Sequence, residues 1–191
     1  MVRFMEIETV AQVVNKLNAY ELEPIVFGGW SVDGCAGIQR RHHSDLDMLV
    51  PVEDFAKSVH ILTRDLGYTW KNSACFLTGC QKAELVSEKG DLVEVFAYVL
   101  KQDCIRFEGL LFTVETSLDA VYPPHRISIE GVTFRIFQPD VVRMLTTNLS
   151  QIQEDKENAG NWTTEEPVQC LTQQRTYANH RQAMLSGGES R

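Results

Sequence analysis

The sequence predicts an α+β protein, with a small mixed β-sheet flanked by helices and a short helical C-terminal segment. The first half of the chain alternates helical and strand patterns. Two β-like runs follow, Arg106–Val114 and Arg126–Phe137, and each contains a glycine at which a turn or a bulge is expected. Helical spacing returns after Pro139-Asp140, so we expect the sheet to be complete by that point.

Apolar spacing defines the elements of the first half. Ile7, Val10, Val14 and Leu17 recur at helical intervals, which predicts a helix over about residues 6–21. An apolar strand then stops at Gly28-Gly29, where a tight turn leads into a short helix ending near Ala36. Further along, the pattern predicts a strand at 45–50, a helix from Phe55 to Leu66, and strands near 76–87 and 91–100.

The chain divides into three predicted regions. The mixed domain extends over 1–137, a C-terminal helical segment over 138–185 and a disordered tail over 186–191. Within the segment, one helix follows Pro139 and a polar linker occupies about 153–163. A last helix is expected over about 164–185, because Thr163 and Glu166 have the spacing of a capping box.

The composition fits one globular domain in the cytoplasm. The chain has 191 residues, of which 43% are hydrophobic, enough to bury a sizeable core. Its formal charge of −8 disfavours nucleic-acid binding, because an acidic surface repels the phosphate backbone. No apolar run is long enough to span a bilayer, and no signal-peptide pattern is present. The five cysteines form no CxxC pair, which favours reduced thiols over disulfides or a zinc site.

Asp45 and Asp47 are the first candidate site. On a strand, residues two apart project from the same face with their Cα atoms roughly 6.5–7 Å apart. Such a pair of carboxylates can bind divalent cations, and two cations about 3.5–4 Å apart are the usual device for phosphoryl or nucleotidyl transfer. An isolated Asp-x-Asp is also common in solvated loops, so the pair needs support from neighbouring elements.

The glycines at positions 28 and 29 provide that support. A strand that stops at two glycines and turns into a helix exposes backbone amides at the positive end of the helix, which suits a phosphate group. Taken alone, Gly28-Gly29 is better explained as a tight structural turn. Together with Asp45 and Asp47, it predicts a phosphate cradle beside a metal pair.

These residues resemble a known signature. Gly-Gly-Trp-x-x-Asp, a glycine four residues later, and Arg-x-His-x-Asp-x-Asp resemble the aminoglycoside-2''-adenylyltransferase and lincosamide nucleotidyltransferase families of the DNA polymerase β superfamily. The close resemblance covers residues 28–50 and a looser one extends to about residue 98. The matching positions are Gly28, Gly29, Trp30, Asp33, Gly37, Arg41, His43, Asp45 and Asp47.

The resemblance implies a nucleotidyltransferase fold over 1–137 and an adenylyltransferase-like activity. The expected cofactor is Mg²⁺, in two ions, and the expected donor is ATP or another nucleoside triphosphate. A nucleoside monophosphate, AMP in the case of ATP, is then transferred to a hydroxyl of a small acceptor such as an aminoglycoside or a lincosamide. No nucleic acid and no membrane is expected as a partner.

The family also places a third carboxylate on a later strand, and Glu94 is the candidate here. The family carries an aspartate at the matched position, so a glutamate is a departure. Asp91 is the rival, but it lies three residues earlier, on the opposite strand face, and is expected at an exposed strand end. Glu94 is predicted to bind metal or to accept the acceptor's proton. The alternative is a glutamate on the solvent-facing side of an edge strand.

The resemblance implies that Gly28, Gly29, Arg41 and His43 bind the nucleotide. Arg41 suits a triphosphate contact, although an ordinary loop arginine is an open alternative. His43 is expected either to orient Asp45, to bind substrate or to make structural hydrogen bonds. Asp33 is predicted to be a cap or salt-bridge partner.

The C-terminal segment departs from the family, with Lys156 as a weak candidate for phosphate contact. Two other functions therefore stay open: modification of a partner protein, as in antitoxin-like nucleotidyltransferases, and a non-catalytic module that binds nucleotide or a partner.

Overall fold

The computed structural model describes residues 4–75, 81–108, 112–149 and 170–174. The helices are α1 (Ile7–Asn18), α2 (Gly28–Ala36), α3 (Val52–Asp65) and α4 (Pro139–Leu149), with one 3-10 turn at Leu118–Ala120. The strands are β1 (Ile25–Phe27), β2 (Asp45–Pro51), β3 (Thr69–Cys75), β4 (Gln81–Val86), β5 (Leu92–Lys101), β6 (Cys104–Glu108), β7 (Phe112–Ser117), β8 (His125–Ile129), β9 (Val132–Ile136) and β10 (Cys170–Gln174).

One mixed sheet connects these strands, and it branches at β5. Along one edge β5 pairs in parallel with β2. Along its other edge it pairs antiparallel with β4 over its first half and with β6 over its second half. One branch continues to β3, and the other continues through β7 to β10. On the far side of β2 the order is β1, β9, β8, with β1 antiparallel to β2 and parallel to β9.

The alternation of side chains on the central strands decides which face carries the polar groups. On β2 the side chains of Leu46 and Met48 are fully buried, whereas Asp45 and Asp47 alternate with them and lie on the half-buried face. The same alternation on β5 buries Val93 and Val95 and leaves Glu94 with Asp47. Helix α3 packs against β2, β4 and β5. A period-two pattern therefore separates an apolar face from a face that carries carboxylates.

The helices are held to the sheet by amphipathic faces. In α1 the buried residues are Ile7, Val10, Val13, Val14 and Leu17, which follow the three- and four-residue spacing of one helical stripe. Each fully buried side chain of this kind stabilises the fold by about 1.5–3 kcal/mol relative to an exposed one. Among the described helices, no segment is long and apolar enough to cross a membrane.

The predicted α+β class and most of its elements are confirmed. The helix and strand patterns of the first half give α1, β1, α2, β2 and α3 close to their predicted bounds. Each of the two later β-like runs forms a pair of antiparallel strands, and in the second pair Gly131 turns the chain with a φ of +83°. Strand β3 was not predicted, because the segment Thr69–Cys75 is largely polar. In the structure its Trp70 is exposed.

The predicted last helix is wrong over residues 170–174. These residues form β10, which pairs antiparallel with β7. The physical reason is the edge of β7: its backbone groups need partners, and Cys170–Gln174 supplies them. The remainder of the predicted 164–185 helix, the linker, Lys156 and the 186–191 tail lie outside the described residues. The division into 1–137, 138–185 and 186–191 stays a prediction.

Candidate active site

Three carboxylates lie together on the half-buried face of the sheet. Asp45 and Asp47 project from β2, and the parallel register places Asp47 directly opposite Glu94 on β5. The side chain of Glu94 is 16% exposed, so it lies within the face rather than at a wet edge. The predicted third carboxylate therefore lies beside the predicted pair.

The pKa values of Asp47 and Glu94 are shifted by burial and by the neighbouring charges. Burial raises the pKa of Asp47 well above its ordinary range, the charges of Asp45 and Glu94 raise it further, and a hydrogen bond with Glu94 adds to the effect. The positive charge of Lys82 lowers the pKa of Asp47 and so opposes these effects. Burial also raises the pKa of Glu94, although contact with Lys82 opposes the shift. Such raised values mark a concentration of negative charge that a cation stabilises.

Lys82 and Glu84 on β4 were not expected at the site. The Lys82 ammonium lies 2.8 Å from Glu94 Oε2 and 2.8 Å from Glu84 Oε1. Burial alone lowers the pKa of Lys82, but the two glutamates together raise it above its usual value. The signal was present in the sequence: Lys82 and Glu84 alternate with Ala83 and Leu85, both fully buried. Without the register of β4 against β5, that alternation does not show which carboxylate the lysine meets.

The glycine turn contacts the carboxylate face. Gly28 opens α2 with a φ of +65°, and a Cβ atom built on it would overlap Asp47 Oδ2. A Cβ atom on Gly29 would overlap the guanidinium of Arg41 and come within 2.5 Å of His43 Nδ1. The turn is closed by a hydrogen bond of 2.7 Å from the Ser31 hydroxyl to the Gly28 carbonyl. The four predicted nucleotide-binding residues thus meet at the N-terminus of α2, beside Asp47.

A buried polar network supports this turn from within. His43 Nε2 lies 2.7 Å from Asp33 Oδ2, and both side chains are at most 1% exposed. The backbone N–H of Arg40 donates to the same Asp33 oxygen at 3.0 Å. Trp30 packs against His43 with ring centroids 4.3 Å apart and ring planes tilted by 35°, and its indole N–H donates to the Asp45 carbonyl at 3.0 Å. Asp33, which was predicted to be a cap or salt-bridge partner, pairs with His43, and the part of His43 in nucleotide binding stays a prediction.

Asp91 is buried, which corrects the expectation that it lies at an exposed strand end. It precedes β5 and is only 4% exposed. Its carboxylate accepts a hydrogen bond from the Ser87 hydroxyl at 3.1 Å, and its own N–H donates to that hydroxyl at 3.0 Å. The reason is local: the turn between β4 and β5 folds Asp91 back onto Ser87 instead of releasing it into solvent.

The residues present fit a hard divalent cation. Carboxylate oxygens are its preferred donors, and Asp45 and Asp47 present them on one half-buried face. Across the described ranges, however, no group of three or more histidine, cysteine, aspartate or glutamate side chains is arranged as a metal site. Glu94 is held by Lys82. Asp45 and Asp47 are thus the donors the geometry favours, and Glu94 joins them only by leaving its lysine.

The fold matches that of solved nucleotidyltransferase structures. The chain is similar to the lincosamide antibiotic adenylyltransferase LnuA, solved with lincomycin bound, at a TM-score of 0.64 and 17% identity over 84% of this chain and 100% of that one. It is also similar to ANT(2'')-Ia, solved in complex with adenylyl-2''-tobramycin, at a TM-score of 0.57 and 15% identity over 80% and 86% of the two chains. A third similar structure is a candidate nucleotidyltransferase from Thermotoga maritima, with a TM-score of 0.51 and 12% identity over 79% of this chain and 88% of that one.

The model of the aminoglycoside-2''-adenylyltransferase family matches residues 9–136, more than half of the chain, and the protein belongs to this family. The resemblance drawn from the glycine turn and the aspartates is thereby confirmed. A comparison with curated proteins found no significant match.

The contact between Gly28 and Asp47 leads to a stability prediction. Gly28→Ala places a side chain on a left-handed backbone and also displaces the Asp47 carboxylate. Gly37→Ala is the matched control, because Gly37 has a similar φ of +74° and open space around it. The backbone term is about 1–2 kcal/mol in both variants. We expect Gly28→Ala to lose clearly more stability than Gly37→Ala in urea denaturation. Equal losses of stability in the two variants would show that the Asp47 carboxylate moves aside at no cost in free energy.

The buried Asp33–His43 pair leads to a second stability prediction. Asp33→Ala leaves His43 and the Arg40 N–H without this acceptor, and a buried hydrogen-bonding group that loses its partner costs about 1–3 kcal/mol. Asp33→Asn keeps one oxygen acceptor and should lose less. The free energy of unfolding from urea titration measures both. An Asp33→Ala variant as stable as wild type contradicts the supporting role of the pair.

Proposed function

We propose that the protein is a metal-dependent nucleotidyltransferase that transfers AMP from ATP, or the corresponding group of another nucleoside triphosphate, to a hydroxyl of a small acceptor. The observation that carries the proposal is the contact of the Gly28 turn with Asp47. It sets the N-terminal amides of α2 next to a carboxylate pair, so sites for phosphate and for cations adjoin each other.

Each residue has a defined part in this proposal. The amides of Gly28 and Gly29 bind phosphate oxygens, and the Arg41 guanidinium packed on Gly29 adds a planar donor for the same group. Asp45 and Asp47 hold Mg²⁺, which when bound stabilises the charge that develops on the transferred phosphoryl group. Glu94 either completes the ligand set or accepts the proton of the acceptor hydroxyl; its raised pKa suits the second part.

The proposed acceptor is an aminoglycoside or a lincosamide. Two observations support this class. The solved relatives LnuA and ANT(2'')-Ia hold lincomycin and adenylyl-2''-tobramycin respectively. The chain itself carries a formal charge of −8 and presents a carboxylate face, which attracts a cationic acceptor.

Labelled ATP with Mg²⁺ and a panel of aminoglycosides, lincosamides, metabolites and lysate proteins tests the proposal. Label transferred to an antibiotic supports it, and label transferred to a protein supports the antitoxin-like alternative instead. Nucleotide that raises the melting temperature in the presence of Mg²⁺ but is never transferred to an acceptor indicates the non-catalytic module.

Asp45→Asn and Asp47→Asn should abolish transfer while the fold survives. Each variant removes a charge that the cations need and keeps nearly the same side-chain volume. The melting temperature of the metal-free protein should stay close to that of wild type or rise, because burial and repulsion already penalise the Asp47 carboxylate. Activity above about a tenth of wild type at saturating Mg²⁺ in either variant rules out the metal pair.

Glu94 and Asp91 are distinguished by a matched pair of variants. Glu94→Gln removes the carboxylate opposite Asp47, so turnover should fall at least about a hundredfold, the lower end of general-base contributions. Asp91→Asn keeps an oxygen for Ser87 and should cost little activity. Turnover of both variants with one responsive acceptor decides the matter. A dead Asp91→Asn beside a near-normal Glu94→Gln means that the third carboxylate is misassigned.

A further inference from the structure

The carboxylate face contains its own cation, Lys82. The ammonium lies between two glutamates, 2.8 Å from Glu94 Oε2 and 2.8 Å from Glu84 Oε1. Glu94 in turn lies directly opposite Asp47 in the parallel register, and the Lys82 charge lowers the pKa of Asp47, which the charges of Asp45 and Glu94 raise. A positive charge therefore already lies beside the carboxylates to which the proposed function assigns a divalent cation.

Lys82 is not an ordinary surface lysine. Its side chain is 13% exposed, and the ammonium lies 5.0 Å from the centroid of the Phe96 ring. Phe96 meets Phe27 edge to face at 5.2 Å, and Phe27 is the residue directly before the glycine turn. The ammonium is thus held by two carboxylates and an aromatic face. An enclosed ion pair of this kind is screened far less than a surface pair, so its charge is felt by neighbouring ligands.

We propose that Lys82 is the internal counter-ion of the carboxylate cluster and that its ion pair with Glu94 sets the affinity of the cluster for a divalent cation. This inference rests on the proposed function, since it assumes that Asp45 and Asp47 bind that cation. Without the cation, Lys82 neutralises Glu94. When the cation binds, Glu94 exchanges the lysine for the metal or for the acceptor hydroxyl.

Glu84 makes the exchange possible. A buried ammonium that loses its partner is strongly destabilising. Lys82 keeps Glu84 at 2.8 Å when Glu94 leaves, so the charge is never left without a carboxylate. The cross-strand register places Glu84 directly opposite Glu94, which explains how one lysine reaches both. Lys82 is accordingly a positioning residue, which acts on the site through Glu94.

The two neighbours of Glu94 should therefore have opposite effects. Lys82→Met removes a competing positive charge and frees Glu94, so a divalent cation should bind at least about tenfold more tightly, the order expected for a unit charge roughly 6 Å from a divalent ion even with the screening of bulk water. Glu84→Gln leaves Glu94 as the remaining charged partner of the two that hold Lys82, so release of Glu94 becomes harder and cation binding should weaken. A purely structural role of Lys82 does not produce this reversal of sign.

The test is Mn²⁺ binding to the full chain without nucleotide, followed by electron paramagnetic resonance of the free ion. Wild type, Lys82→Met, Glu84→Gln and Asp45→Asn are compared, and thermal unfolding establishes that each variant is folded. Lys82→Gln replaces Lys82→Met if the methionine variant does not fold. Tighter binding in the Lys82 variant together with weaker binding in Glu84→Gln supports the inference.

Two other outcomes overturn different statements. If Asp45→Asn abolishes Mn²⁺ binding while Lys82→Met binds like wild type or more weakly, the counter-ion inference is wrong and the proposed metal pair stands. If wild type binds no Mn²⁺, or if Asp45→Asn binds it as well as wild type does, the metal pair itself is wrong and the inference falls with it.

Discussion

The contact between the backbone of Gly28 and the carboxylate of Asp47 is the constraint on which the rest of the site depends. Antiparallel pairing of β1 with β2 sets Phe27 opposite Asp47, so the chain must turn away at the next residue, directly over the carboxylate. A side chain at position 28 would occupy the place of Asp47 Oδ2, and the φ of +65° independently favours glycine. Because the turn opens α2, the same contact brings the positive end of a helix to the carboxylates.

The network below the turn holds it against the strand. The His43 side chain pairs with Asp33 of α2 and packs against the Trp30 ring, and the His43 carbonyl accepts a hydrogen bond of 2.7 Å from the backbone N–H of Met5. Trp30 bonds the carbonyl of Asp45, so helix α2 and the first residue of β2 are tied by a buried indole N–H. Hydrogen bonds between buried polar groups such as these rigidify their surroundings. They position Asp45 and Asp47 without needing to touch a ligand.

Charge on the sheet face is concentrated rather than dispersed. Burial and repulsion disfavour the ionised form of Asp47 in the isolated chain, which is the usual cost of a site that is complementary to a cation. Lys82 offsets part of that cost from a strand that neighbours β5. Family membership, established over residues 9–136, fits this arrangement, while the 12–17% identities to solved structures establish the fold and leave the acceptor to experiment.

Features that depend on local pattern could be predicted from the sequence. Helical spacing placed α1 and α3, and strand alternation put Asp45 and Asp47 on one face. The tertiary structure alone decided what depends on pairing between distant segments: the branch at β5, the capture of Cys170–Gln174 by the edge of β7, and the meeting of Lys82 with Glu94. Backbone hydrogen bonds between strands are indifferent to side-chain identity, so register and neighbours are selected by the packing of the whole sheet and are not written in any one segment.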